Sequence, residues 1–427
     1  MLKELKLSNY RLFGEEVTIR FRPITVIIGR NNAGKSSVIK FLLMLQQTLA
    51  SNIDFLLPQG PRVQLEPFEQ MKTCGGEKQP IEFSLTCERK GSSATGIIPR
   101  VFGVLQDKDD QAKWQKTDYT RECRAKIRVS SFEPPIGRQW FCIGVLHDGD
   151  WITVSDKAVW EEGALIDSAS RLLRLQSANE NSKVRGDVVD CNIGLQEMRA
   201  DLENLRHLQA NRDELPRLFE AKTPPMAGVG QRGEHTLGHI AALFSPSQDD
   251  DRRKLFAEYA KNVLDLEDFY FIDLRDNNKF CEAKNRKTGK TVNIARFGFG
   301  VSQCLPILMQ GVLMSPNSHL IVEQPEEQLH PTAQIELGSY FADLWLKHEV
   351  CSIIETHSDG ELLRLRRLVA KGDLKSEDVT VAYLHDEEGV PKISNLDINA
   401  DDGSIEGLEM EFFGKNVIEG LNMGAKK

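Results

Sequence analysis

The chain has 427 residues, of which 40% are hydrophobic and 27% charged, and its net charge is −9. This length predicts two or three lobes of about 150 residues each, and the acidic balance argues against a generally basic nucleic-acid binder. No apolar run reaches the ~20 residues of a membrane span, and we expect no signal peptide. Eight scattered cysteines without a CxxC pair argue against a zinc ribbon or a disulfide framework and favour a reducing, cytoplasmic setting.

The first thirty residues are expected to form strands. KELKLSNY and EEVTIRF alternate apolar and polar residues, which predicts an antiparallel hairpin. The continuous apolar run TVIIG, residues 25–29, is typical of a central buried strand. A helix from Lys35 to about Leu49 should follow it.

Between this strand and this helix lies GRNNAGKS, residues 29–36, which fits the P-loop pattern GxxxxGK[ST] in its proper context. Its glycines let backbone N–H groups curl around phosphate, and the helix N-terminus adds a positive dipole. Lys35 is expected to reach the β- and γ-phosphates of ATP, and Ser36 to ligate Mg²⁺. The predicted phosphate-binding residues are Gly29, Asn31, Asn32, Ala33, Gly34, Lys35, Ser36 and Ser37.

The middle of the chain is less informative. Short strand patterns and turn residues from about 54 to 160 predict a β-rich arm. Helical patterns follow over about 164–208 and 236–266, with a Gly- and Pro-rich loop over 221–235 between them. The basic stretch from Arg121 to Arg128 fits either a local DNA-binding groove or an ordinary solvated strand face.

A second phosphate-binding pattern is FGFGVSQCLPIL, residues 297–308. Two glycines and a Ser-Gln pair open an apolar, helix-like run, so that backbone amides together with Ser302 could hold a phosphate. Because the chain already has a P-loop, we expect this second site to serve the ATP of another subunit.

The last third alternates strand and helix patterns from SHLIVE to VTVAYLHD, which predicts a parallel sheet. Strand SHLIVE ends in Glu323, a carboxylate suited to organising Mg²⁺. Gln324 follows, and its amide cannot take a proton, so Glu326 is the alternative base. After strand CSIIET, His357 is placed to sense the γ-phosphate, because ligands bind at the carboxyl ends of parallel strands.

The order of P-loop, Gly/Ser-rich motif, EQPEEQLHP and ETHS resembles the ABC-type AAA ATPases of prokaryotes. These are relatives of the structural-maintenance-of-chromosomes and overcoming-lysogenization-defect ATPases. The loop VGQRGEH matches a loop ahead of the signature in this family, and the tail LDINADDGSIEGLEMEFF resembles the small C-terminal domain of unknown function found in one branch. The resemblance covers residues 1–50 and about 205–415. It implies an α/β P-loop fold of ABC type, with N-terminal antiparallel strands and a β-rich and helical insertion between the P-loop and the Gly/Ser-rich signature motif.

The implied domain organisation has four segments. Residues 1–53 hold the first part of the ATPase domain, 54–205 an insertion arm, 206–390 the second part with the signature, and 391–427 a small C-terminal domain.

The resemblance further implies a head-to-head homodimer, or a higher oligomer built on dimers. Each ATP with its Mg²⁺ would lie between two groups of residues: Lys35, Ser36, Glu323 and His357 of one subunit, and Gly300, Ser302 and Gln303 of the other. Ser36 and Glu323 would hold the metal, and Glu323, Gln324, Glu326 and His357 form the candidate catalytic set. Because Gln324 stands where the usual residue is glutamate, slow hydrolysis is expected.

The function implied is the gating of a partner effector, a nuclease or toxin encoded by an adjacent gene, in defence against phage or mobile DNA. A DNA-maintenance ATPase that binds duplex directly is the first alternative, and a steep salt dependence of DNA affinity would favour it. A small-molecule kinase would need an acceptor site and a catalytic base, which the sequence does not show. A module that binds ATP without hydrolysing it is a further alternative, because the amide of Gln324 cannot take a proton. No membrane partner is expected.

Overall fold

The computed structural model describes residues 1–51, 56–73, 81–90, 120–131, 139–147, 150–155, 164–165, 176–177, 199–220, 228–245, 250–274 and 278–408. The strands in chain order are β1 (Leu2–Ser8), β2 (Val17–Arg20), β3 (Ile24–Gly29), β4 (Ile81–Lys90), β5 (Thr120–Ser131), β6 (Gln139–His147), β7 (Asp150–Ser155), β8 (Ala164–Leu165), β9 (Gln176–Ser177), β10 (Leu205–Leu208), β11 (Phe219–Glu220), β12 (Leu266–Asp273), β13 (Asn278–Asn285), β14 (Thr291–Asn293), β15 (His319–Glu323), β16 (Cys351–Glu355), β17 (Val379–Glu387) and β18 (Val390–Leu396). The main α-helices are α1 (Lys35–Ala50), α2 (Thr236–Leu243), α3 (Asp250–Leu264), α4 (Phe299–Leu313), α5 (Pro331–His348) and α6 (Gly360–Ala370). Within these ranges, no helix is long and apolar enough to cross a membrane.

The first sheet is antiparallel and has the strand order β2-β1-β4-β5-β6-β7. The predicted N-terminal hairpin is confirmed, with Leu5 of β1 paired to Ile19 of β2. Strands β4 to β7 come from the segment after the P-loop, and β4 pairs directly with β1. The β-rich insertion therefore continues the N-terminal sheet.

The second sheet carries the functional motifs and has the order β10-β15-β16-β3-β17-β18. All its neighbouring strands are parallel except β17 and β18. The predicted α/β fold with a parallel sheet and N-terminal antiparallel strands is thus confirmed. Strand β16 lies between β15 and the P-loop strand β3, so the carboxyl ends of all three meet at one edge.

Helix α1 fills the space between the two sheets. Its aromatic residue Phe41 makes edge-to-face contacts with Tyr10 and Phe83, both at 5.0 Å between ring centroids. Successive residues of β3 alternate between two cores: Ile27 packs in the core with α1, and Ile28 in the core with α4, α5 and α6. Because β3 is covered on both faces, its continuous apolar run is explained, and the P-loop starts from a rigid support.

Two sequence-based assignments need correction. The helical pattern over 164–208 ends in a strand, because Leu205–Leu208 pair in parallel with β15 at the edge of the second sheet. The short strands β8 and β9 lie in the same segment. The region 236–266 holds two helices, and Leu266 already begins β12.

Two other predicted features lie partly outside the described residues. The basic stretch Arg121–Arg128 runs within β5, but its side chains are outside the described part. In the C-terminal segment, Val390–Leu396 forms the edge strand β18, and residues 409–427 are outside the description.

Candidate functional site

The P-loop joins β3 to α1, and its backbone conformation depends on glycine at two positions. Gly29 has φ +152°, and a side chain there would collide with the carbonyl oxygen of Leu384. Gly34 has φ +99° and lies on the ring of Phe13, which a Cβ would approach to 2.7 Å. Since L-residues rarely adopt these angles, the predicted P-loop glycines are required by both conformation and space.

Lys35 is folded back into this loop. Its Nζ donates hydrogen bonds to the carbonyl oxygens of Gly29 at 2.9 Å and Arg30 at 2.8 Å. Burial lowers the pKa of the Lys35 ammonium, while the nearby carboxylate of Glu355 opposes this. A buried ammonium to which Gly29 and Arg30 offer two carbonyl oxygens is well placed to pair with an anion, as the phosphate-binding prediction requires.

Two carboxylates face each other beside the P-loop. Glu323 ends β15 and Glu355 ends β16, and the two residues are direct neighbours in the parallel register. Ser36 donates its hydroxyl to Glu355, at 3.0 Å to Oε1 and 3.3 Å to Oε2. Burial, and next the charge of Glu323, raise the pKa of Glu355 to about 7. In this arrangement the P-loop serine contacts Glu355, which the sequence did not single out.

These groups fit the metal that the sequence predicts. The hydroxyl of Ser36 and the carboxylates of Glu323 and Glu355 are the hard oxygen donors that Mg²⁺ takes from proteins. A divalent cation here would also oppose the burial and the repulsion by Glu323 that raise the pKa of Glu355. Among the described residues, no group of three or more His, Cys, Asp or Glu side chains is arranged to hold a metal ion, so the site proposed here combines two carboxylates with the Ser36 hydroxyl.

His207 of β10 is a second neighbour that sequence reasoning missed. Its Nε2 lies 2.8 Å from Oε1 of Glu323, and its side chain is buried. A ring hydrogen-bonded to a potential metal ligand fixes the orientation of that carboxylate. We infer that His207 sets the direction in which Glu323 faces.

The last residue of β15 and the turn after it, residues 323–327, which we call the 323–327 turn, have a constrained backbone. Gln324 has φ +45°, a left-handed conformation that is uncommon for a residue other than glycine. Its N–H donates to the carbonyl of Glu355 at 2.7 Å, and its own carbonyl accepts from Arg212 at 2.9 Å. Both backbone groups of Gln324 are therefore held by neighbouring elements.

Glu326 is engaged with the loop that follows β16. Its Oε1 accepts the backbone N–H of His357 at 2.9 Å. Burial, and next the charge of Lys35, lower the pKa of His357, while Glu326 acts in the opposite direction. The structure thus brings together Lys35, Glu326 and His357 at the edge that holds the P-loop.

Of the predicted signature residues, Ser302 and Gln303 lie in the interior of the subunit, and Gly300 is half-buried. Ser302 is 7% exposed, and its Oγ accepts the backbone N–H of Leu215. Gln303 is 0% exposed, and its side chain pairs with the backbone of Arg212. Both side chains are therefore engaged inside the subunit. The surface at the start of α4 is formed by Gly298 and by Phe299, which is 40% exposed.

Glu361, four residues after His357, is a buried acid. Glu361, in the first turn of α6, is 0% exposed. Burial, and next the charge of Glu326, raise its pKa from 4.5 to about 8. Glu361 is thus largely protonated at neutral pH, because ionisation would leave a charge in a low-dielectric interior.

We expect Glu361→Gln to make the stability of the protein less dependent on pH. The folded chain keeps this proton up to about pH 8, whereas the unfolded chain releases it near 4.5, so the parent loses stability as pH rises between these values. Glutamine is neutral throughout. The variant should therefore match the parent near pH 5 and exceed its unfolding free energy by about 3–5 kcal/mol near pH 9.

Urea unfolding without nucleotide at the two pH values measures this difference. Glu377→Gln, at an exposed glutamate, is the matched control and should change little at either pH. An equal loss of stability at both pH values in Glu361→Gln would contradict the buried, protonated state of Glu361.

Comparison with known proteins gives a clear family match. The profile of a family described as an AAA ATPase domain matches residues 1–136 and 168–360, which is most of the chain. No curated protein matches.

Solved structures of SMC heads are similar to this chain at low identity. One is the Smc head bound to the C-winged helix domain of ScpA, with 13% identity over 93% of this chain and 98% of that chain, at a TM-score of 0.48. The SMC head domain from Thermotoga maritima has 9% identity over 92% and 98%, at 0.43. An Smc head with an extended coiled coil, bound to the C-terminal domain of ScpA and derived from Pyrococcus furiosus, has 12% identity over 100% and 99%, at 0.45.

Proposed function

Because the chain belongs to the AAA ATPase domain family, we propose that it binds and slowly hydrolyses ATP between two head-to-head protomers, and so gates a partner effector. The observation that carries this proposal is the P-loop of Lys35 and Ser36, placed against the carboxylates of Glu355 and Glu323 at one sheet edge. An ATPase needs a cradle for phosphates and oxygen ligands for a cation, and the P-loop and these two carboxylates are suited to supply them.

Each residue of the site has a defined task in this proposal. The loop amides and Lys35 bind the phosphates, and His207 keeps Glu323 oriented. Mg²⁺, when bound by Ser36 and the two carboxylates, neutralises charge on the phosphates. Gln324 orients the attacking water, because its side-chain carbonyl accepts a hydrogen bond but takes no proton.

The dimer is supported by the N-terminus of α4. A helix N-terminus attracts phosphate through its N–H groups and its dipole. This chain already has one such site at α1, so the exposed start of α4, at Gly298 and Phe299, is suited to the ATP of a second subunit. Because Ser302 and Gln303 are buried, the backbone of α4 and not these side chains would meet the partner's phosphates.

Gly298→Glu is expected to block ATP-dependent association while leaving ATP binding to one subunit intact. A side chain at Gly298 meets nothing within 4 Å, and its φ of −59° suits any residue. The new carboxylate would therefore stay in solvent, where it repels phosphate at the helix N-terminus. Sedimentation with and without Mg²⁺ and ATP measures the association.

Gly298→Ala is the control, since it adds only a methyl group in the same open space, and it should associate as the parent does. If Gly298→Glu also associates with ATP like the parent, α4 does not meet the partner's nucleotide and the dimer proposal fails.

The identity of the effector follows from the resemblance described above. A nuclease or toxin encoded by an adjacent gene, acting in defence against phage or mobile DNA, is the proposed partner. Co-purification of the two gene products with and without ATP tests it: ATP-dependent binding or release supports gating, and identical association in both conditions contradicts it.

A further inference from the structure

Arg212 is a cation buried at the centre of the site. It is 1% exposed. Its Nη1 donates to the carbonyls of Gln209 at 2.7 Å and Glu323 at 2.9 Å, and its Nη2 donates to the carbonyl of Gln324 at 2.9 Å. A buried guanidinium loses its hydration, and burial accordingly lowers the pKa of Arg212. Burying this guanidinium costs free energy, and its hydrogen bonds hold the backbone of the 323–327 turn.

The backbone of Arg212 is fixed to a different element, helix α4. Its N–H donates to Oε1 of Gln303 at 3.2 Å, and its carbonyl accepts from Nε2 of the same side chain at 2.9 Å. Three residues later, the N–H of Leu215 donates to Ser302. Residues 209–215, which we call the strap, are thus attached to the first two turns of α4.

These contacts form a continuous series from α4 to the P-loop. Gln303 holds the backbone of Arg212, and Arg212 holds the carbonyls of Glu323 and Gln324. The N–H of Gln324 donates to the carbonyl of Glu355. The carboxylate of Glu355 accepts the hydroxyl of Ser36. A displacement of the start of α4 would therefore move the residues that face the nucleotide.

We propose that Arg212 is a positioning residue that couples helix α4 to the 323–327 turn. When α4 of one subunit contacts the nucleotide bound by its partner, Arg212 transmits this contact and aligns Glu323 and Gln324 in the subunit that carries α4. This inference rests on the proposed ATPase function and deepens it, because it names how dimer closure regulates hydrolysis. Arg212 touches neither ATP nor water in this scheme; it acts through two adjacent backbone carbonyls.

The planar fork of arginine is needed for this role. Nη1 and Nη2 reach the carbonyls of two successive residues, Glu323 and Gln324. The ammonium of a lysine keeps the charge but lacks the rigid fork. Arg212→Lys should therefore loosen the turn without removing the positive charge, which separates positioning from simple electrostatics.

The test compares Arg212→Lys with Arg367→Lys, the same change at an exposed arginine of α6. For Arg212→Lys we expect kcat for ATP to fall by about 10- to 100-fold, as for a small misplacement of reacting groups. The KM for ATP should change by less than about threefold, since the P-loop contacts remain. Arg367→Lys should behave as the parent.

Hydrogen exchange of backbone amides gives a second readout. On adding Mg²⁺ and ATP, the parent should become protected both at the start of α4 and at residues 323–327. Arg212→Lys should become protected at α4 alone, because the link to the turn is weakened. If Arg212→Lys fails to fold, Gln303→Met cuts the same series at the other end and should give the same loss of kcat and the same split in protection.

The outcomes separate the two proposals. A parent enzyme that neither binds nor hydrolyses ATP overturns the ATPase function and this inference with it. If the parent is active and both folded variants keep kcat within about threefold, the inference is wrong and the ATPase function stands. A parallel loss of melting temperature, ATP binding and kcat in both variants would mark Arg212 as a structural residue only and would also overturn the coupling.

Discussion

The variant Lys35→Ala is expected to lose ATP turnover by at least about 100-fold. A hydrogen bond to a charged group contributes about 1.5–3 kcal/mol, and Lys35 is expected to contact two phosphates, so the lost interactions correspond to this factor or more. The ammonium already lies inside the P-loop, on the carbonyls of Gly29 and Arg30. Its removal therefore deletes positive charge at the place where phosphate is proposed to bind.

Steady-state ATPase rates and direct ATP binding measure this effect. Lys371→Ala, at an exposed lysine after α6, is the control for loss of one positive charge and should keep the parent's rate. Thermal unfolding of both variants shows whether the fold is retained. Normal turnover in a folded Lys35→Ala protein would show that the P-loop assignment is wrong.

The variant Gln324→Glu is expected to speed ATP turnover by at least about tenfold, since a well-placed general base contributes about 10²–10⁴ in rate. Glutamate has nearly the shape of glutamine, and the backbone of residue 324 is held by Glu355 and Arg212. The new carboxylate should therefore occupy the position of the amide. The ATP-bound dimer of the parent, which lacks this base, should be long-lived and that of the variant short-lived.

A competing account assigns the base to Glu326. In that case Gln324→Glu changes little and Glu326→Gln stops turnover. The structure places Oε1 of Glu326 on the backbone N–H of His357, and a glutamine oxygen can still accept this bond, so on the slow-switch account Glu326→Gln should change turnover little. Steady-state rates of the two variants decide between the accounts. A fast parent enzyme, unaffected by Gln324→Glu, would contradict the slow switch.

The parts of the site that could be predicted from sequence are local along the chain. The P-loop is a run of eight residues between a strand and a helix, and its glycines are explained by their φ angles and close contacts. Glu323 can be predicted because it ends an apolar strand. The parallel sheet followed from the alternation of strands and helices.

The remaining site residues depend on contacts between distant segments. Glu355 contacts Ser36 across 319 positions, His207 contacts Glu323 across 116, and Arg212 contacts the same residue's carbonyl across 111. No local pattern marks these residues. The sequence predicts helix for β10 for the same reason. LRHL fits the apolar spacing of a helix as well as that of a strand, and only its pairing with β15 makes it a strand.

Mixing Lys35→Ala subunits with Gly298→Glu subunits tests the shared ATP site most directly. In a head-to-head dimer, each site combines the P-loop of one subunit with α4 of the other. A mixed dimer therefore has one site with both changes and one site with neither. The account predicts that each variant alone is inactive, and that an equal mixture regains ATPase activity up to about half the parent's rate, because only mixed dimers can close on ATP and each has one intact site. Full activity of Gly298→Glu alone, or no recovery on mixing two folded variants, would contradict it.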